Sequence, residues 1–440
     1  MSGQSTIGIG LIGCGAVGSE VARILLQDRT DLAARTGVTL DLRHVLVRDK
    51  AKPRPVDLPD GLLCDAIGSL LDDARTGIIV ELAGGEEDAR RMTLAALEAG
   101  KSVVTANKAL LASYGPELFL AARRAGRCIA FEAAVAGGIP LIESIRSGLV
   151  ANRIDAIFGI LNGTCNYILT KMLDDTASYA HALAQAQRLG YAEQDPTLDV
   201  DGTDSAHKLA VLTSIAMRQH CRPDQIRTRG ISHIALTDLV AADELGYACK
   251  LLAIARRHDG ELELGVQPTF IPKTHPLAAV GGPFNAVSVY GSNVGHTLFY
   301  GPGAGGRATA SAVVADIIDV AIGNALRTFE HLTAIADQAQ PAKIRPAGGN
   351  KSPFYVRVGL VDRPGGIGRI ATLMGEQGIS IATIVQHESA EERPSEVVPV
   401  VVTTHAVKES SVWQALSLME LLDIVVDRPV CIPLLNEHFD

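Results

Sequence analysis

The sequence predicts an α/β protein built from three consecutive units: an N-terminal doubly wound parallel sheet, a central α+β unit and a C-terminal ferredoxin-like unit. Strand-like and helix-like segments alternate with short connections from residue 6 to about 131, which is typical of a parallel sheet covered by helices. From about 140 to 330, groups of helices and groups of strands replace that alternation. From 353 onward, the elements follow the β-α-β-β-α-β order of the ferredoxin-like fold.

The strands of the N-terminal unit are apolar runs, and two of its helices end at glycine, a common helix terminator. The predicted strands are TIGIGLIG, VTLDLRHVLV, TGIIVELAG, KSVVTA and RCIAFEAAV. The helical patterns between them are VGSEVARILLQD, EEDARRMTLAALEAG and PELFLAARRAG.

The same kind of pattern predicts the elements of the other two units. In the central unit, helical stretches lie near 164–189, 204–217 and 243–258, strand-like runs at 261–271, 284–290 and 297–301, and a last helix at about 307–328. We expect that last helix to pack back on the N-terminal unit. The C-terminal elements are FYVRVGLVD, GIGRIATLMGEQG, ISIATIVQHE, EVVPVVVTTH, SVWQALSLMELL and IVVDRPVCI. The predicted domains are 1–140, 141–331 and 353–440, with an Ala-, Pro- and Gly-rich linker at 332–352.

Composition and charge exclude several classes of partner. The formal net charge of −9 leaves no basic footprint for nucleic acid, and no run of about 18 apolar residues is present to span a membrane. The seven cysteines are scattered without a CxxC pair, which fits reduced thiols better than a disulfide framework. No signal segment precedes the first strand. We therefore expect a globular cytoplasmic protein.

A GxGxxG motif stands where the first strand meets the first helix. Gly13 permits a tight turn, Gly15 lets the backbone approach a pyrophosphate, and Gly18 lets the helix pack close to the strand. Ala16 and Val17 begin the helix, whose N-terminal N–H groups favour phosphate. This placement predicts a Rossmann-type nucleotide site, and the alternative is a turn that serves packing alone.

The end of the second strand bears on the choice of cofactor. Arg48 stands where an NAD-preferring site usually has an acid, and a guanidinium binds a 2′-phosphate by two hydrogen bonds. We therefore predict NADP. Asp49 keeps NAD possible, and a simply solvated Arg48 is the other alternative.

Two further segments follow strands at the edge where ligands gather in such sheets. Thr105 and Lys108 follow the strand KSVV, and Lys108 is either a site residue or an ordinary lysine at a helix start. The glycine-rich run that ends at Gly306 opens a later helix and is either a second phosphate-facing loop or a plain turn.

Acids cluster ahead of one lysine at YAEQDPTLDVDGTDSAHKLAVL, residues 191–212. Asp204 and Lys208 are four residues apart and share a helix face, but an exposed pair at that spacing is common and worth only ~0.3–0.5 kcal/mol. A substrate with an ammonium group would offset the clustered carboxylates. A lysine beside a nicotinamide is a candidate proton donor or acceptor, because burial readily lowers its pKa.

Together, these segments resemble homoserine dehydrogenase. The resemblance rests on GLIGCGAVG, TANK, EAAVAGGIP, the late GPGAGG, and GTCNYIL followed by YAEQDP. It covers about residues 6–330, and the C-terminal unit resembles the ACT regulatory domain of monofunctional members. The family's reaction is the reversible NAD(P)-dependent interconversion of L-homoserine and L-aspartate 4-semialdehyde, in threonine, methionine and isoleucine biosynthesis.

The resemblance implies roles for individual residues. Lys208 resembles the acid/base lysine, and Lys108 the second active-site lysine, which touches both cofactor and substrate. Glu193 and Asp199 resemble the substrate-binding acids, and Asp204 the carboxylate beside the catalytic lysine.

The resemblance also implies a monovalent cation, usually sodium. Glu132 and the backbone carbonyls of Val135, Gly137 and Ile139 resemble the family's cation site. Oxygen ligands of this kind suit a hard cation. A Gly-Gly-Ile-Pro turn without an ion is the alternative.

The C-terminal unit carries a regulatory expectation. Asp362-Arg363-Pro364-Gly365 resembles the D-x-P-G turn of ACT domains, which bind small amino acids at paired interfaces. L-Threonine is therefore the expected effector, and a dimer or tetramer the expected assembly. Gly366-Ile367-Gly368 departs from the bulkier run of many members, and a domain used only for assembly stays open.

Two rival functions remain. One is an oxidoreductase on the same scaffold that acts on another small amino-acid aldehyde or alcohol. The other is a nucleotide-binding amino-acid sensor without catalysis. Lys108, Glu193, Asp204 and Lys208 argue against the sensor, which has no need of a proton-transfer lysine.

Overall fold

The N-terminal domain is a parallel sheet of strand order β3-β2-β1-β4-β5-β6. The computed structural model describes residues 5–332, 340–386 and 397–435. The elements of this domain are β1 (Ser5–Ile12), α1 (Ala16–Gln27), α2 (Arg29–Thr36), β2 (Val38–Leu46), β3 (Leu63–Cys64), α3 (Gly68–Leu71), β4 (Thr76–Glu81), α4 (Glu87–Glu98), β5 (Ser102–Thr105), α5 (Lys108–Arg124) and β6 (Ile129–Ala130). The order reverses at β1, with β2 on one side and β4 on the other, so the predicted doubly wound sheet is confirmed.

The central domain contains a mixed sheet of order β13-β12-β7-β10-β11-β9. After 3₁₀ turn Glu132–Ala134, its first elements are α6 (Leu141–Glu143), which continues as a π-helix Ser144–Gly148, β7 (Ile154–Ile160), α7 (Gly163–Asp174), α8 (Tyr179–Arg188), α9 (Thr197–Val200), α10 (Thr203–Leu212), which continues as a π-helix Thr213–Met217, β8 (Gln219–His220) and β9 (Arg227–Thr228). They are followed by α11 (Leu236–Glu244), β10 (Tyr247–His258), β11 (Glu261–Pro272), β12 (Phe284–Gly291), β13 (Gly295–Pro302), α12 (Gly306–Ala321) and α13 (Asn324–His331), with 3₁₀ turns Pro223–Gln225 and Pro276–Ala279.

The helix predicted at 243–258 is wrong. Helix α11 ends at Glu244, and β10 occupies Tyr247–His258. This strand pairs with β11 on one side and β7 on the other, and residues 249–256 are buried on both faces. A strand that is buried on both faces loses the apolar–polar alternation of a half-exposed strand, so its apolar run resembles a buried helix.

The last helix of the central domain is two helices. Helices α12 and α13 meet at 79°, with Gly323 between them at φ +83. Helix α12 packs on the N-terminal domain, where Val313 and Ile317 share a core cluster with Ile9 and Val21. Among the described residues no single helix is long and apolar enough to cross a membrane, and this bent pair passes such a test only when its two helices are taken together.

The C-terminal domain is an antiparallel sheet of order β17-β18-β16-β20. The elements after α13 are β14 (Gln340–Pro341), β15 (Lys351–Ser352), β16 (Phe354–Val361), α14 (Gly366–Glu376), β17 (Ile381–Gln386), β18 (Val397–Thr404), β19 (Val407–Lys408), α15 (Glu409–Met419) and β20 (Val430–Pro433). The predicted ferredoxin-like order is therefore confirmed. Part of the expected linker, 333–339, and the end of the predicted strand ISIATIVQHE lie outside the described residues.

The chain after α13 is attached to the central domain by paired backbone and by a buried ion pair. Strand β14 pairs with β8, and Leu262 exchanges hydrogen bonds with Lys343 and Arg345. The Asp238 carboxylate of α11, which is fully buried, accepts two hydrogen bonds from the guanidinium of Arg357 in β16, at 2.6 and 3.1 Å.

Candidate active site

The glycine-rich turn has the shape that a bound pyrophosphate requires. Gly13 has φ +92, and a Cβ on Gly18 would lie 2.2 Å from the Gly13 carbonyl oxygen, so both positions need glycine. A Cβ on Gly15 would meet nothing within 4 Å, which leaves open space beside the backbone. Helix α1 begins at Ala16, followed by Val17, directly after this turn, and the first N–H groups of a helix have no partner within the helix.

A second helix begins beside the first. A Cβ on Gly306, at the start of α12, would lie 2.9 Å from the Ala16 carbonyl oxygen, so the starts of α12 and α1 are in close contact. The glycine-rich run before Gly306 is also tightly packed, because a Cβ on Gly303 would overlap the Asn285 side chain at 1.9 Å. The structure thus brings the two predicted glycine-rich segments together at one edge of the sheet.

Hydrogen bonds between polar side chains position the start of α5 at this edge of the sheet. Glu81, fully buried at the end of β4, accepts a hydrogen bond from the Thr105 hydroxyl at 2.8 Å. The Thr105 oxygen accepts one from the Asn107 N–H at 3.0 Å, and the Asn107 side chain caps α5 at Leu110 N–H. Thr105 therefore orients the backbone that presents Lys108, and Glu81 is a supporting residue that the sequence analysis missed.

One carboxylate joins two lysines from different domains. Asp204 Oδ2 lies 2.7 Å from Lys208 Nζ, and Asp204 Oδ1 lies 3.0 Å from Lys108 Nζ. Lys208 also donates to the Leu161 carbonyl at 2.7 Å, which uses a second of its three N–H donors. The Lys108 side chain is 36% exposed and that of Lys208 13%, so Lys208 is the more enclosed amine. We call these three residues the lysine–carboxylate cluster.

Asn162 connects this cluster to a second carboxylate. Its side-chain amide donates to Asp204 Oδ2 at 3.0 Å and to Asp199 Oδ1 at 2.8 Å. Its oxygen accepts from the Cys165 N–H and so caps α7. Asn162 directly precedes the segment GTCNYIL and was not predicted as a site residue, because its contacts with Asp199 and Asp204 join residues far apart in the chain.

Burial and charge shift the pKa values of Asp204 and Asp199 in opposite directions. Burial opposes ionisation of Asp204, but the positive charges of Lys208 and Lys108 outweigh it and hold the pKa of Asp204 well below its usual range. Burial raises the pKa of Asp199, and the hydrogen bond from Asn162 only partly offsets that effect. Asp204 is therefore a firmly ionised carboxylate held between two lysine side chains.

Two predicted binding residues lie at the surface. Glu193 is exposed, and no hydrogen bond or ion pair within the described part of the chain joins its carboxylate to the cluster. Arg48 is exposed just after β2, and across residues 5–332, 340–386 and 397–435 its guanidinium pairs with no carboxylate. Asp195 only caps a local turn at Thr197.

In the predicted cation loop, some of the candidate oxygen ligands already accept hydrogen bonds from nearby backbone N–H groups. Both oxygens of the buried Glu132 carboxylate accept N–H groups, from Ile142 at 2.7 Å and Glu143 at 2.8 Å. The Ile139 carbonyl accepts from Leu141 at 2.8 Å.

Two other carbonyls of this loop have no backbone donor among the described hydrogen bonds. The carbonyls of Val135 and Gly137, both buried, accept none of the described backbone hydrogen bonds. Burial raises the pKa of Glu132. The described residues contain no group of three or more His, Cys, Asp or Glu side chains that could hold a metal ion. Of the predicted cation ligands, the carbonyls of Val135 and Gly137 are thus without a backbone donor among the described residues, whereas Glu132 and Ile139 already accept backbone N–H groups.

A Rossmann-type sheet joined to a lysine–carboxylate cluster is the arrangement expected of an oxidoreductase that uses a nicotinamide cofactor. The family model described as the homoserine dehydrogenase NAD binding domain matches residues 13–132, that of homoserine dehydrogenase matches 140–318, and that of the ACT domain matches 354–415. The chain belongs to the homoserine dehydrogenase family.

Individual relatives agree with these matches. The homoserine dehydrogenase of Pseudomonas aeruginosa is 41% identical over 419 residues, which is 94% of this chain and 95% of the relative. The crystal structure of a homoserine dehydrogenase from Thiobacillus denitrificans is similar with a TM-score of 0.91 and 41% identity, over 99% of this chain and 100% of that one. A hyperthermophilic archaeal homoserine dehydrogenase in complex with NADPH is similar with a TM-score of 0.60 and 27% identity, over 71% and 97% of the two chains.

Proposed function

We propose that this protein interconverts L-homoserine and L-aspartate 4-semialdehyde, in the biosynthesis of threonine, methionine and isoleucine. The observation that carries the proposal is the lysine–carboxylate cluster, in which Asp204 lies 2.7 Å from Lys208 and 3.0 Å from Lys108. Membership of the homoserine dehydrogenase family supports it. When bound, the nicotinamide nucleotide accepts or delivers the hydride.

Lys208 is the proposed acid and base. In alcohol oxidation its neutral amine takes the hydroxyl proton, and in aldehyde reduction its ammonium group returns a proton to the oxygen. Asp204 and the Leu161 carbonyl hold Nζ by two hydrogen bonds of 2.7 Å, which leaves one position of the amine for substrate. The arrangement supplies the fixed geometry that proton transfer requires.

Lys108 is the proposed contact between cofactor and substrate. It is the first residue of α5, at the carboxyl edge of the sheet that carries the glycine-rich turn, and it reaches Asp204 of the other domain. Asp199 and Glu193 are the proposed partners of the substrate ammonium. Asp199 and Asp204 both accept a hydrogen bond from the side-chain amide of Asn162, so Asp199 lies next to the cluster. Glu193 would have to reach the substrate from the exposed turn before α9.

NADP is the proposed cofactor, and the exposed guanidinium of Arg48 supports it. The glycine-rich turn, with Gly13, Gly15 and Gly18, would hold the pyrophosphate, while Arg48 would bind a 2′-phosphate.

A monovalent cation, sodium by preference, is proposed at Glu132 and the carbonyls of Val135, Gly137 and Ile139. The buried carbonyls of Val135 and Gly137 need a positively charged or N–H partner, which supports the proposal. Replacing sodium by choline at equal ionic strength should lower activity, and equal activity in both salts would count against the site.

The remaining proposals concern organisation. We propose domains 1–140, 141–331 and 353–440 with a linker at 332–352, a cytoplasmic location, a homodimer or tetramer, and L-threonine as an effector of the ACT domain. The D-x-P-G turn supports the effector proposal, because residues 360–368 line a cavity of about 370 Å³ at that turn.

Substrate choice tests the proposal against another oxidoreductase of the same scaffold. Initial rates with L-homoserine, L-serine and L-threonine as alcohols should show turnover of L-homoserine at a far higher kcat/KM. Glu193→Gln should raise KM for L-homoserine with little change in kcat, and Asp195→Asn, a surface acid of the same turn, is the matched control. Equal rates with all three alcohols would overturn the proposal, and an unchanged KM in Glu193→Gln would remove that residue from the site.

A further inference from the structure

A cavity of about 630 Å³ lies between the central and C-terminal domains, away from the lysine–carboxylate cluster. Its wall combines the segment around β9 with α15 and the start of β20. The lining residues that matter here are Arg227, Arg229, His233, Trp413, Glu420 and Arg428. We propose that this cavity is a binding site for a small oxyanion that carries a phosphate or carboxylate group.

Two of the three guanidinium groups are held by partners. Arg227 forms an ion pair with Glu409 at 2.8 Å, and its guanidinium carbon lies 4.3 Å from the ring centroid of Trp413. Arg428 pairs with Glu420 at 3.1 Å but is 89% exposed, so this pair is weak and can exchange for another anion.

The third guanidinium has no acid beside it. Arg229 donates one long hydrogen bond, 3.4 Å, to the Cys431 carbonyl, and within the described ranges no carboxylate pairs with it. A guanidinium presents its N–H groups as a fork that matches carboxylate or phosphate oxygens. Arg229 on the cavity wall therefore offers an unused oxyanion-binding face.

The charges of the cavity favour an anion. Arg227, Arg229 and Arg428 carry three positive charges, and Glu409 and Glu420 carry two negative ones, so one positive charge is left with His233 neutral. A concave surface with an excess of one sign raises the local concentration of the opposite ion. The net charge of the cavity therefore favours an anion over a cation.

The position links the site to both domains. The Arg229 N–H donates to the Val266 carbonyl of β11. Two residues further along the chain, the Ile231 N–H donates to the Val200 carbonyl at 2.9 Å. Val200 directly follows Asp199. The other wall belongs to the C-terminal domain, so an oxyanion bound here contacts both domains beside the acid-rich segment. The proposed site does not depend on the reaction assigned above.

The sequence provides a built-in probe. Trp413 is the only tryptophan in the chain and lines the cavity, so its emission reports on the site. We would titrate the full-length protein with inorganic phosphate and, separately, with succinate, at constant ionic strength maintained with sodium chloride. Isothermal titration calorimetry under the same conditions provides a readout that does not depend on fluorescence. The two anions separate a phosphate source from a carboxylate source.

Variants assign the signal to the cavity. Arg229→Gln should weaken binding of the preferred anion by about tenfold or more, because a hydrogen bond to a charged group is lost. Arg222→Gln is the matched control, since Arg222 is an exposed arginine of the preceding segment that pairs with Asp224 outside the cavity. Saturable binding that Arg229→Gln weakens and Arg222→Gln leaves unchanged is the expected result. No saturable binding of either anion by both methods, or wild-type affinity in Arg229→Gln, would overturn the proposal.

Discussion

Replacing Lys208 separates a catalytic lysine from a structural one. The alternative to catalysis is a structural i, i+4 pair with Asp204; both side chains are largely buried, so losing one partner would cost ~3–5 kcal/mol of folding stability without a specific effect on turnover. Loss of a general acid and base costs ~10²–10⁴-fold in rate, or about 2.7–5.4 kcal/mol of transition-state stabilisation. We therefore expect Lys208→Ala to lose at least about a hundredfold in kcat while cofactor binding, which uses the glycine-rich turn, is retained.

Lys208→Arg sharpens the test. Arginine keeps a positive charge near Asp204 but does not release its proton in proteins, so it can support the carboxylate without serving as a base. Stability should recover in Lys208→Arg relative to Lys208→Ala, while turnover should stay low in both.

The assay compares kcat for homoserine oxidation, cofactor affinity by calorimetry and unfolding in urea. Lys171→Ala is the matched control, because Lys171 forms an exposed i, i+4 pair with Asp175 at 3.3 Å on α7. Turnover in Lys208→Ala within about tenfold of wild type would refute the acid/base role, since that role is worth at least ~10²-fold.

Three other changes have defined outcomes. Gly18→Ala places a Cβ 2.2 Å from the Gly13 carbonyl, so calorimetry should show weakened cofactor binding in a folded protein, and unaltered affinity would contradict the glycine requirement. Arg48→Gln should lower kcat/KM with NADP more than with NAD, and an equal effect on both would exclude the 2′-phosphate contact. Asp238→Asn leaves the half-buried Arg357 without its charged partner and should cost about 3–5 kcal/mol in urea unfolding, and a cost below about 1 kcal/mol would show that this pair does not hold the two domains together.

Much of the fold follows from local patterns. The GxGxxG turn, the alternation to residue 131 and the C-terminal β-α-β-β-α-β order each depend on near neighbours in the chain, and each was predicted. Strand β10 could not be recognised, because its identity depends on partners β7 and β11, which are distant in sequence and bury both of its faces. The break between α12 and α13 at Gly323 was missed because a glycine inside an apolar helical pattern is compatible with continuation.

The candidate site also contains one contact that local spacing predicts and others that depend on residues distant in the chain. Lys208 and Asp204 share a helix face, so their contact was expected from spacing. The contact of Lys108 with Asp204 joins two domains and was expected only from the family resemblance. The roles of Glu81 and Asn162 are side-chain hydrogen bonds to residues far along the chain, which no local pattern contains.

Reduction of L-aspartate 4-semialdehyde by the purified full-length chain tests the proposed activity most directly. With NADPH as reductant, we expect one L-homoserine to form for each NADPH consumed, as identified by chiral chromatography and mass spectrometry, and we expect Lys208→Ala to form almost none. Absence of L-homoserine with both NADPH and NADH, or equal product formation by Lys208→Ala, would contradict the proposed function or the proton-transfer role of the lysine–carboxylate cluster, respectively.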